Sequence, residues 1–241
     1  MKNFLLELCV ETLEAAQAAE SGGADRIELC SELRNGGVTP GPDLIAATVR
    51  ALSIPVHVLI RPRAGNFVFS AEEFEQMLLQ IEQAKLAGAA GIAVGVLLPD
   101  GRVDVERSRD LARLGRPMRV IFDRAFDETV NLVEALEAVI LTGADCLLTS
   151  GGAPNVLAGA ESIARLYMQA GGQLQIMAGG GLQLTNLAEV VRRTGVSCLH
   201  GSLSRTRAAG SPSMLEKDVR ESVRLLRREV RMRESPVRTA R

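Results

Sequence analysis

The chain has 241 residues, 46% of them hydrophobic, and its 28 Lys plus Arg nearly balance 29 Asp plus Glu for a net charge of −1. That balance offers no general attraction to nucleic-acid phosphates or anionic lipid, and 3% aromatics with no Trp argue against a base-stacking surface. No apolar run approaches the ~20 residues of a membrane helix, so neither nucleic-acid nor membrane partners are expected. The N-terminus reaches Glu7 too soon for a signal peptide's apolar core, which makes a cytoplasmic protein the expectation. Cys9, Cys30, Cys146 and Cys198 show no CxxC spacing and read as free thiols there.

A unit then repeats along the chain: a short β-rich run, a polar loop, a helical run and a small-residue turn. Strand Phe4–Val10 leads to an Ala-rich helix at Glu11–Ser21, ended by Gly22-Gly23. Strand Asp25–Cys30 precedes a helix at Asp43–Leu52. Strand Pro55–Arg61 precedes a helix at Ala71–Ala87, where Ser70 and Glu73 form a capping box. Strand Gly91–Leu98 and the turn Pro99-Asp100-Gly101 lead to a helix at Val105–Leu114. Strands at Arg119–Ala125, Cys146–Ser150 and Leu174–Ala178 pair with helices at Thr129–Leu141, Val156–Ala170 and Thr185–Arg193. Strand Ser197–Leu203 is followed by a helix at Met214–Arg233. Eight βα units without a composition break predict one domain over residues 1–241, a (β/α)8 TIM barrel; an open doubly wound sheet fits the even spacing less well. The Arg-rich stretch 214–241 carries Arg224, Arg227, Arg228, Arg231, Arg233, Arg238 and Arg241. Interspersed Glu221, Glu229 and Glu234 make it a solvated helix face rather than a nucleic-acid arm.

Strand alternation then separates two faces. Leu6, Leu8, Val10, Ile27, Leu29, Val56, Val58, Ile60, Val120, Phe122 and Leu199 belong against the helices. Glu7, Cys9, Glu28, Cys30, His57, Leu59, Arg61, Ile121, Asp123, Cys198, His200 and Ser202 are left for the lumen. Barrel lumens are ordinarily filled with branched apolar side chains, and an unpaired buried charge costs several kcal/mol. A lumen this polar is expected to be a functional site at the strand C-termini. The bland alternative is a buried ion-pair network with Arg61 neutralising Glu7 or Glu28.

The segments LELCVETLEAAQAAESGGADRIELCS, NGGVTP, PVHVLIRPRAGNFVFS, PDGRVDVER, DRAFDET, LLTSGG and IMAGGG resemble the CutC family, called copper homeostasis proteins, over about Leu6 to Ser204. The resemblance implies a (β/α)8 barrel, a cytosolic location and a homo-oligomer. It also implies Cu(I) bound by two thiols ending the first two strands, at positions matched here by Cys9 and Cys30. Soft thiolates suit Cu(I), and two suffice for near-linear coordination; small hydrophobic filler is the ordinary role of such cysteines.

Copper alone does not explain Glu7, Glu28, Arg61 and His200, which are acid–base and charge-stabilising types. An enzyme acting on a small, phosphorylated or sugar-like substrate is the alternative. Glu7 or Glu28 would then be the base, with Arg61 and His200 stabilising negative charge. Gly180 and Gly181 after strand seven, with Ser202 at strand eight, fall where barrels commonly bind phosphate, although the triple Gly also reads as a tight turn. A barrel with neither ligand is a weaker third option. Two positions depart from the family pattern: Asp123 stands where the family usually has the His of HRAFD, and Gly41 where it usually has Ser.

Overall fold

The computed structural model describes residues 4–203 and 211–234, with side chains up to Glu229. Eight parallel strands close on themselves in chain order, with β1 hydrogen-bonded to β8. The strands are β1 (Leu5–Val10), β2 (Arg26–Leu29), β3 (Val56–Leu59), β4 (Gly91–Val94), β5 (Arg119–Phe122), β6 (Cys146–Thr149), β7 (Gln175–Ala178) and β8 (Cys198–Gly201). The helices that follow them are α1 (Leu13–Gly22), α2 (Pro42–Ala51), α3 (Ala71–Leu86), α4 (Val105–Gly115), α5 (Leu132–Thr142), α6 (Ala160–Ala170), α7 (Leu187–Thr194) and α8 (Pro212–Glu234). This is the (β/α)8 barrel the sequence predicts. No helix among the described residues is long and apolar enough to cross a membrane. Arg231, Arg233, Arg238 and Arg241 of the basic stretch, and Ser204 at the end of the family resemblance, lie outside the described side chains.

Two packed regions follow from the alternation. Leu6, Leu8, Ile27, Leu29, Val58, Val120, Phe122 and Leu199 join the helix faces in the outer core. The lumen holds a smaller apolar set of Leu59, Ala93, Ile121, Leu148 and Met177 with all four thiols. Cys146 therefore belongs to the lumen as well. Its strand, Cys-Leu-Leu-Thr, has apolar side chains on both faces and gave no asymmetry to read.

Element ends differ where a local contact outcompetes the pattern. The first helix runs one residue further, through Gly22, where α8 lies so close that a Cβ would sit 2.6 Å from Val219 Cβ; Gly23 then ends it with a left-handed turn at φ 95°. Ser70 and Glu73 form the expected reciprocal cap on α3. Strand five ends at Phe122 rather than Ala125, since Asp123 Oδ1 accepts from Ala125 N–H and starts a 3-10 turn at Arg124–Glu128. The sixth helix begins at Ala160 rather than Val156, because residues 151–159 close a loop against Ser150 so tightly that a Cβ on Gly159 would lie 1.8 Å from its carbonyl oxygen. The seventh begins at Leu187 rather than Thr185.

Candidate functional site

Register sets the deepest polar layer. Glu7 on β1 stands opposite Arg26 on β2 and His200 on β8, while Glu28 stands opposite His57 on β3. Glu7 is wholly buried. Its Oε2 accepts from Arg26 Nε, and its Oε1 lies 2.8 Å from His200 Nδ1. His57 Nδ1 lies 3.0 Å from Oε2, the oxygen that Arg26 engages. Burial alone would raise the Glu7 pKa; His200, His57 and Arg26 outweigh it and hold the carboxyl well below its usual range. The far end of Arg26 rests on sulfur, with Nη2 donating to Met177 Sδ at 3.3 Å and Cys198 Sγ at 3.8 Å. The cation that neutralises Glu7 is therefore Arg26, not Arg61. Arg26 begins β2 on the same face as Glu28 and Cys30, so strand alternation directs it into the lumen with them.

One layer higher, Cys9 is in register with Glu28, and Cys30 lies diagonally beyond it. The Cys9 and Cys30 sulfurs are 3.3 Å apart, and Cys9 Sγ donates to Glu28 Oε1 at 3.5 Å. The Cys30 contact, burial and the Glu28 carboxyl together push the Cys9 thiol well above its usual range. Glu28 is raised to about 7 because burial outweighs the attraction of His200. Burial would lower the His200 pKa, but Glu28 and Glu7 outweigh that and raise it. Ligand atoms of Cys9, Glu28 and His200 all lie within 4.8 Å of one another, a group that could hold a metal ion.

Above this layer opens a cavity of about 580 Å³ at the strand C-termini. Cys9, Cys30, Glu28 and His200 form its floor, with Arg61, Asp123, Gly180, Gly181 and Ser202 around its wall. Of the residues assigned to the lumen from the sequence, Glu7, His57, Ile121 and Cys198 do not line it. Arg61 is 6% exposed, donates to Gly37 O at 3.0 Å and Gly65 O at 2.5 Å, and stacks 4.4 Å from the Phe67 ring centre. Asp123 is raised to about 6 by burial, which outweighs its hydrogen bond from Ala125 and the attraction of Arg61 and Arg124. The carboxyl fits because β4 is followed by Gly95, where a Cβ would lie 2.0 Å from Asp123 Oδ1.

Gly180 and Gly181 turn at φ 90° and 77°. A Cβ on Gly180 would stand 3.0 Å from Arg124 Cζ, so this loop allows a guanidinium to approach the backbone closely. Arg124 is paired with Asp127 at 2.9 Å and donates to Ser150 Oγ at 3.1 Å. Asn186, ahead of α7, donates its side-chain amide to Gly181 O at 3.0 Å. Ser202 is half-buried just beyond β8. Phe67, Arg124 and Asp127 come from loops between elements, where no period marks which side chains turn inward; all three stood in quoted motifs, Phe67 in PVHVLIRPRAGNFVFS and Arg124 and Asp127 in DRAFDET.

The family model that matches this chain is the CutC family, over residues 4–205. The human copper homeostasis protein cutC homolog is 42% identical over 207 residues, covering 86% of this chain and 76% of that protein. A family protein CutC of Porphyromonas gingivalis is 40% identical over 227 residues, covering 94% and 87%. The crystal structure of a copper homeostasis protein CutC from Streptococcus agalactiae superposes with a TM-score of 0.79 at 27% identity, covering 83% of this chain and 100% of that one.

Proposed function

Since the chain belongs to the CutC family, we propose that it is a copper homeostasis protein that takes up Cu(I) through the lumenal thiols of Cys9 and Cys30. The observation that carries this reading is the 3.3 Å contact between their sulfurs at the floor of an open cavity. One small ion can reach both, and thiolates are the soft donors that Cu(I) favours. Metal uptake requires the thiols to release their protons. Glu28 Oε1, already accepting from Cys9, offers the first proton a place to go, and His200 adds an imidazole within reach. A Cu(I) titration under reducing conditions against a competing chelator tests this. Wild type should bind stoichiometrically and Cys9→Ala/Cys30→Ala should not; undiminished affinity in the double variant would rule the thiol site out. A cytosolic, homo-oligomeric protein built as one domain accompanies this reading, and light scattering on the purified chain checks the oligomer.

A second reading is supported by the cavity itself. About 580 Å³ is far more than an ion needs, since one water occupies about 30 Å³. Glu28, raised to about 7, has the proton affinity of a general base or acid near neutral pH. We infer an enzyme acting on a small, phosphorylated or sugar-like molecule, with Glu28 moving the proton. His200 and Arg61 would stabilise negative charge, and Gly180, Gly181 and Ser202 would form the anion-binding rim. Glu7, locked between Arg26 and His200, holds the floor in place. Metal-free protein that turns over a panel of sugar phosphates, and loses turnover on Glu28→Gln, would support it.

A further inference from the structure

We propose that the cavity takes a small organic anion, a carboxylate or a phosphate ester, whose charged end seats on the Arg61 guanidinium while its body reaches toward Glu28 and His200. This rests on the small-molecule reading above and adds the charge the ligand must carry and the residue that meets it. Arg61 is almost wholly buried, yet among the described residues no carboxylate lies within ion-pair distance of it. Its partners are two backbone carbonyls and the face of a phenyl ring, none of which cancels a full charge. Nε has no hydrogen-bond partner at all. Asp123 and Glu128 attract it only from beyond ion-pair distance, and a buried cation without a directly paired anion is an unfavourable arrangement for an empty protein.

The surroundings hold the guanidinium still without neutralising it. Gly37 and Gly65 fix its two terminal nitrogens, Phe67 backs one face, and Gly36 leaves room beside it, since a Cβ there would sit 2.9 Å from Nη1. Guanidinium presents five donors in a rigid fork matched to carboxylate and phosphate oxygens. Two are engaged by these carbonyls, so donors remain for a ligand. Arg124 on the same wall differs in kind: Asp127 already pairs with it at 2.9 Å. Asp123 lines the cavity without forming an ion pair to Arg61. An anion arriving at Arg61 therefore supplies the direct ion pair that Asp123 and Glu128, acting from a distance, do not.

The test is calorimetric titration of reduced, metal-free, full-length protein with inorganic phosphate and, separately, with acetate. Wild type should bind at least one of them, and the tighter of the two identifies the ligand's charged group. Arg61→Met should weaken that binding by roughly tenfold or more, the usual loss when a charge-assisted hydrogen bond is removed. Arg61→Lys, which keeps the charge but not the fork, should fall between the two and serves if Arg61→Met does not fold by circular dichroism. No binding of either anion to wild type, or equal binding to wild type and both Arg61 variants, would overturn the proposal. So would loss of binding on Gly180→Ala with Arg61→Met unaffected, because the anion would then lie on the glycine loop. The protein is metal-free throughout, so the result is independent of the Cu(I) titration. Anion binding without turnover of any sugar phosphate would sink the enzyme reading and leave this site standing.

Discussion

The floor of the barrel and its mouth are both polar and both buried, but they balance charge in opposite ways. On the floor, Glu7 meets Arg26, His57 and His200 within one layer, and Arg26 Nη2 rests on Met177 and Cys198. Every charge there faces a partner. At the mouth, the direct partners of Arg61 are carbonyls and a ring, Asp123 is held by one backbone N–H, and Glu28 on the cavity floor below them is close to half-protonated near neutral pH. Buried charge that partners itself contributes to holding a fold; buried charge left without a partner opposes folding and persists where a ligand uses it. The polar lumen is thus two things stacked along one axis, a self-satisfied network and a site above it.

The sharpest way to break that contrast is to remove the floor's central carboxylate. Glu7→Gln leaves Arg26 buried without its anion, and uncompensated buried charges of this kind cost roughly 3–5 kcal/mol. Urea unfolding should show that loss, and Glu7→Gln/Arg26→Met should recover much of it, because the second change removes the orphaned cation. Additive losses in the double variant would mean that the two side chains do not act as a pair.

The barrel was legible in the sequence because closure needs only eight period-two strands alternating with helices, and both faces of the first, second and third strands alternate cleanly. Pairing within the lumen was less so. Whether Glu7 meets Arg26 or Arg61 depends on the stagger between neighbouring strands, and alternation reports face but not height. The β1–β2 register sets Glu7 level with Arg26 at the start of β2, while Arg61 lies beyond the end of β3. The pairing of Cys9 with Cys30 came from the family resemblance, because it too depends on a register that alternation does not report. Arg124 and Phe67 come from loops, where their inward direction depends on tertiary packing.

At the mouth a substitution should act with the opposite sign. Asp123 has an unfolded pKa near 3.8 and a folded value of about 6, so between those values the native state holds the extra proton. Stability contributed by that proton is present at low pH and is lost as pH rises through 6, by about 3 kcal/mol in all. The groups around it divide: Arg61 and Arg124 favour the carboxylate, Asp127 disfavours it, and burial decides. Asp123→Asn keeps an oxygen to accept from Ala125 N–H while removing the charge. It should therefore raise stability at pH 8 and flatten the stability profile between pH 4 and 6. A variant no more stable than wild type at pH 8 would mean that Arg61 already compensates Asp123, and the mouth would then resemble the floor.

The smallest effect should come from the mouth's other guanidinium, and it separates burial from location. Arg124 lines the same cavity as Arg61 but its side chain is 44% exposed and ion-paired with Asp127. Exposed pairs are screened by solvent and usually contribute under about 1 kcal/mol. Asp127 also keeps its bonds from Thr149 Oγ1 at 2.5 Å, Ser150 N at 3.0 Å and Gly152 N at 3.0 Å when Arg124 is lost, so its carboxylate is not left unpartnered. Arg124→Gln should accordingly shift the urea midpoint by little, with an unchanged slope. A loss approaching that of Glu7→Gln would mean that position at the mouth, rather than burial without a countercharge, decides what a lumenal cation does. A small value would instead mark Arg61 as the cation set apart, since it is buried and lacks the directly paired carboxylate that Arg124 has.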